Sequence, residues 1–109
     1  MTKSIIQTKK ECYVCGTTYN LHRHHVYAGR NRQTSEKFGC VCYLCGMHHN
    51  LSDEGVHFNI ELDRELKDKC QRVFELLYSH IEFMYFFGKN YKQPEFDEGD
   101  YKFIKEERK

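Results

Sequence analysis

The chain has 109 residues, of which 39% are hydrophobic, 15% aromatic and 30% charged. That composition excludes a disordered polymer and leaves room for one folded domain with a limited core. A net charge of +1 excludes a strongly basic or acidic protein, yet it hides an asymmetry. Residues 1–50 carry seven Lys/Arg against Glu11 and Glu36, and the remaining 59 carry ten against fourteen Asp/Glu. An anionic partner would therefore meet the first half.

No run of about 18 apolar residues marks a membrane span, and MTKSIIQTKKE lacks the apolar core of a signal peptide. A cytoplasmic protein is the expectation. Thiols stay reduced there, so the six Cys read as metal ligands and core residues rather than disulfides.

In chain order, residues 1–11 are a polar lead-in, and CYVCGTTYN (12–20) is a tight turn opened by a Cys pair. Residues 21–28 alternate as a short strand, 29–37 (GRNRQTSEK) form a cationic loop, and 38–44 form a second, largely apolar strand. Residues 46–54 make a short helix stopped by Gly55. An amphipathic helix follows from about Ile60 to Tyr78. Leu62, Leu66, Cys70, Val73, Leu77 and Ile81 mark its apolar stripe, and Asp63, Glu65 and Lys67 face outward. Ser79-His-Ile-Glu82 is a capping box that opens another short helix, ending at Gly88. Pro94 begins a charged tail expected to be loosely ordered, or ordered only against a partner.

Two matched half-sites carry the metal expectation. Cys12-x-x-Cys15 can grip one ion if the chain turns tightly, with Gly16 supplying the permissive backbone, and Cys45-Gly-Met-His48 repeats the spacing. Together they make a tetrahedral Cys3His set suited to a structural Zn²⁺. Cys40 and Cys42 read as core packing, with a rearranged site using Cys42 as the alternative. Cys70 reads as inert packing. His24 and His25 lie near the end of the first strand, and His49 follows the last zinc ligand. Two imidazoles on an ion with a third beside them could make a hydrolytic centre. His22 alternates with His24 and could line the same face, but exposure is the favoured reading. His80 falls in a helix cap. Tyr27, Tyr43 and the run Phe83–Phe87 read as core rather than as stacking platforms.

The pattern CxxC…HH…CxxHH, over about Cys12 to Phe58, resembles the HNH endonucleases, in particular their zinc-stapled, phage-associated members. A looser likeness runs through FMYFFGKNY to Tyr91. The resemblance implies an α+β fold: a ββα-metal core with a structural zinc over residues 1–58, a helical extension over 59–91 and a charged tail over 92–109. It implies hydrolysis of DNA phosphodiester bonds, with His24 and His49 as ligands of a catalytic metal and His25 as general base. Asp53 and His57 are the candidates for a further metal ligand. Arg30, Arg32 and Lys37 are the candidates for phosphate contacts. A site of imidazoles with one carboxylate suits Mn²⁺, Ni²⁺ or Zn²⁺ better than Mg²⁺, and the choice among the four stays open. The Asn that the family carries on its second strand is absent between Phe38 and Cys45. The alternatives are an inactive zinc-stapled DNA-binding module and an inhibitor-like protein that engages a phage or host partner through its acidic half. A homodimer is a further expectation about partners.

Overall fold

The computed structural model describes residues 2–49, 59–96 and 101–104. Its architecture is α+β. Strand β1 (Leu21–His25) pairs antiparallel with β2 (Val41–Cys45), in a register that sets His22 opposite Leu44 and His24 opposite Cys42. Helix α1 (Arg32–Phe38) lies between the strands, after a 3-10 turn at Gly29–Asn31. The short α2 (Gly46–His49) follows β2 directly, and α3 (Ile60–Leu77) and α4 (His80–Phe87) complete the molecule. No helix among the described residues is long and apolar enough to cross a membrane.

Side chains alternate along a strand, so the hairpin has two distinct faces. His22, His24, Cys42 and Leu44 share one, and Leu21, Arg23, His25, Val41, Tyr43 and Cys45 share the other. The first face meets the core, where Cys42, Leu44, Leu62, Leu66, Phe74 and Phe83 are almost wholly buried. Each large apolar side chain buried there contributes roughly 1.5–3 kcal/mol. Tyr27 is also buried. Its ring packs against Phe83, Phe87 and Tyr91, and its hydroxyl donates to the Lys67 carbonyl of α3 at 2.6 Å. Tyr27, Phe83 and Phe87 are thus core, as expected, whereas Tyr43 is half-buried and Tyr85 of the same run is exposed.

The free edge of β2 is covered by the lead-in. Ile5 N–H donates to the Gly39 carbonyl, Ser4 Oγ to the Val41 carbonyl, and Gln7 Oε1 accepts from Tyr43 N–H. Covering an edge in this way satisfies its backbone groups and blocks further strand pairing. Gly39 is required at the crossing. Its φ is 75°, and a Cβ there would collide with the Lys3 carbonyl oxygen.

Five sequence expectations are corrected. The stretch 29–37 is a 3-10 turn and most of α1 rather than a loop. Ser35 docks this helix on the strand exit, donating to the Tyr27 carbonyl at 2.7 Å and accepting from Tyr27 N–H at 3.1 Å, and Gly39 caps its end. With 38–40 taken up by the helix end and its cap, the second strand begins at Val41 and runs through Cys45. Glu65 faces inward, 1% exposed, because its carboxylate accepts the backbone N–H groups of Lys102, Phe103 and Ile104. Those residues of the tail are therefore tied down rather than loose, and Ile104 is buried. Finally, Leu77 and Ile81 are exposed, so the buried stripe of α3 ends at Phe74.

The other boundaries follow local chemistry. Asn59 caps α3 by accepting from Leu62 N–H, and Ser79 caps α4 by accepting from Glu82 N–H. Gly88 ends α4 in the left-handed conformation. The expected helix over 46–54 is seen at Gly46–His49; the rest of it, and Gly55, lie outside the described residues.

Candidate metal centre and histidine cluster

The first knuckle is made by backbone turns. Gly16 N–H donates to the Cys12 carbonyl, Cys12 N–H donates to the Thr17 carbonyl, and Gly16 takes a φ of 79°. Tyr13 N–H then donates to the Tyr43 carbonyl, fixing the knuckle to β2. The second knuckle is the β2–α2 junction, held by Gly46 N–H donating to the Asn20 carbonyl. Both halves converge. One ligand atom from each of Cys12, Cys15, Cys45 and His48 lies within 4.8 Å of the others. Cys15 Sγ is 3.8 Å from Cys45 Sγ, and His48 Nδ1 is 3.7 Å from Cys12 Sγ and 3.3 Å from Cys45 Sγ.

Those separations fit a tetrahedral ion. Two sulfurs at zinc-bond length sit about 3.8 Å apart, and a sulfur and an imidazole nitrogen about 3.5 Å. The donor set, three thiols and one imidazole, is that of a closed structural site, and the cluster can hold a metal such as zinc. Cys42 is not among the four. It is fully buried opposite His24, on the face of the hairpin that meets the core. Cys70 is buried beside Cys40, and its thiol is pushed up by burial.

His48 and His49 are neighbours on a helix, so their side chains diverge by about 100°. His48 turns to the cysteines and His49 to β1. The His49 ring meets His24 edge to face at 5.4 Å between centroids, and His22 at 5.0 Å. His22 Nδ1 and His49 Nδ1 are 2.9 Å apart. That separation suits a hydrogen bond with one ring donating. His24 is 5% exposed.

His25 stands apart from this trio. It lies on the other face of β1, where its Nε2 is 3.0 Å from Glu36 Oε1. Arg23 grips the same carboxylate through Nε at 3.0 Å and a second nitrogen at 2.6 Å, and it also donates to the Thr2 carbonyl. Arg23 first, then His25, hold the Glu36 carboxyl down at about 2.

The structure thus brings together His24 and His49 and adds His22, while it separates His25. Strand alternation carried the signal for His22, but the favoured expectation of an exposed side chain is corrected: it is half-buried against His49. Glu36 carried none, because its segment read as a loop. Asp53 and His57 lie outside the described residues. Of the predicted phosphate contacts, Arg30 and Arg32 are exposed at the start of the β1–β2 connection. Lys37 lies near the end of α1 with its ammonium over the rings of Phe38 and Phe86. No protein-family model, curated protein or solved structure matches the chain.

Proposed function

We propose that this protein is a zinc-stapled, metal-dependent endonuclease of the HNH type, with a ββα-metal core that cleaves DNA phosphodiester bonds. The single observation that carries the reading is the His49 ring, next to the last residue of the Cys3His cluster and against both His24 and His22. A closed metal site beside an imidazole cluster is the division of labour such an enzyme needs: one ion holds the fold and the other does chemistry.

His24 and His49 would hold the catalytic cation, with His22 as a further imidazole. A divalent ion there would supply charge neutralisation at the scissile phosphate. His25 would take the proton from the attacking water as the oxygen bonds to phosphorus and the bond to the leaving 3′ oxygen breaks. Glu36, bonded to His25 Nε2, would keep the proton on that nitrogen and leave Nδ1 as the acceptor.

The test is nicking of supercoiled plasmid with Mg²⁺, Mn²⁺, Ni²⁺ or Zn²⁺. Wild type is expected to nick with at least one of these ions. His49→Ala is expected to lose about 100-fold or more while keeping its structural metal. Nicking that survives His49→Ala undiminished rejects this centre.

A specific observation favours a second reading. His25 and His24 point to opposite faces of β1, and β2 carries no Asn. An inactive DNA-binding module would show that geometry without cost. It predicts DNA retention with no nicking by any of the four ions.

A further inference from the structure

We propose that the cleft between the N-terminal segment and the hairpin is a binding groove for the phosphate backbone of one nucleic-acid strand. The choice of polymer rests on the nuclease reading, while the case for an anionic ligand does not. The cleft has a volume of about 420 Å³, and its lining includes Lys3, Lys9, Lys10, Arg23, Thr8 and Tyr43. No Asp or Glu lines it. Three exposed lysines around one cleft in a chain of net charge +1 concentrate positive potential where low-dielectric walls focus it, the charge of Arg23 being paired with Glu36.

Two features make the cleft suit a single strand. The lysines Lys3, Lys9 and Lys10 are exposed, as contacts to phosphate oxygens must be. Arg23 is instead committed to Glu36 and serves to fix the wall. Tyr43 is half-buried, and the Lys10 ammonium lies 5.5 Å above its ring. A cation beside an aromatic ring is the pairing that binds a phosphate and stacks the attached base. The floor is rigid, because Gln7 and Ser4 tie the segment to β2. This groove was not legible in the sequence, where residues 1–11 read only as a polar lead-in and Tyr43 as core. It also lies on the Arg23 and His25 face of the hairpin, and Arg30, Arg32 and Lys37 are not among its lining residues.

Fluorescence anisotropy with a labelled 20-nucleotide single strand tests the proposal, without added divalent cations so that nothing is cleaved. The variants are the triple change Lys3→Gln, Lys9→Gln and Lys10→Gln, and the triple change Arg30→Gln, Arg32→Gln and Lys37→Gln. Metal content and melting temperature confirm that each is folded. The lysine variant should reduce the slope of log affinity against log salt by about 2. At 0.1 M salt its binding should be about 100-fold weaker, the same slope change carried over one decade from 1 M. Tyr43→Leu should weaken binding about 5-fold or more with no change in slope. An unchanged slope in the lysine variant overturns the groove, as does a loss confined to the arginine-containing triple. Equal binding of a poly-glutamate peptide with the same slope also overturns it, in favour of an acidic protein partner. A protein that binds the strand through these lysines yet nicks nothing leaves the groove standing and removes only the nuclease reading.

Discussion

A cysteine binds zinc as thiolate, and the four residues of the cluster are not alike in how readily they reach that state. Burial pushes the Cys12 thiol up, but backbone N–H groups of Cys45, Cys15 and Val14 outweigh it and hold the thiol below its ordinary value. Cys15 is pushed up to about 11 by burial and by the neighbouring thiols. Metal binding at neutral pH must therefore release protons, and affinity must rise with pH. Cys45→Ser removes a ligand that takes part in two of the three close contacts of the cluster. It is expected to abolish the bound metal and unfold the domain, as measured by metal analysis and circular dichroism. Cys42→Ala should keep the metal and cost only its packing, about 1–2 kcal/mol. The reverse outcome would assign Cys42 to the site. Glu36 gives a pH-dependent prediction. Its carboxyl is depressed in the fold, so the stability it contributes is present above its ordinary value of 4.5 and lost as pH falls toward about 2. Glu36→Gln should melt below wild type at pH 7, and thermal melts should show that gap closing as the pH is lowered through this window. A gap that is constant with pH would mean the carboxylate pairs matter little.

Among the elements, α3 makes the clearest argument. Its span was legible because apolar residues recur at helical spacing, and α4 was legible in Ser79 and Gly88. What spacing could not show is that α3 buries carboxylates as well as leucines. Glu65 and Asp68 lie inward and bind the chain beyond Pro94. Asp68 pairs with Arg72 and accepts from Gln93 N–H and the Tyr101 hydroxyl. A charged residue on a helix reads as solvent-facing unless its partners are known, and most of these partners, backbone N–H groups and the Tyr101 hydroxyl, lie far along the chain. Glu65→Ala should cost about 3 kcal/mol in chemical denaturation and speed amide exchange at residues 102–104, because their acceptor is gone. Unaltered exchange would show that the strap is held by Ile104 alone. The same limit explains α1. Its docking through Ser35 to Tyr27 is a tertiary contact that local composition does not signal.

At the scale of the whole molecule, the Cys3His cluster ties three separate pieces together: the first knuckle, the end of β2 and the start of α2. The ligand spacing was visible in the sequence, whereas the α+β class was what the family resemblance implied. The two faces of the hairpin were also implicit in β-strand alternation, but which face met the core was not. That choice, made by the burial of Cys42 and Leu44 in the core, sends His22 and His24 toward His49 and leaves His25 with Glu36. The exposed side chains Leu76, Leu77, Ile81 and Tyr85 at the α3–α4 end form an apolar surface that the described residues leave open. The claim on which fold and function both depend is that one metal sits among Cys12, Cys15, Cys45 and His48. The direct measurement is metal analysis of the purified protein combined with X-ray absorption at the zinc edge. The account predicts one zinc per chain with three sulfur ligands at about 2.3 Å and one nitrogen at about 2.0–2.1 Å. A protein that folds without metal, or whose zinc shows only nitrogen and oxygen neighbours, would contradict it.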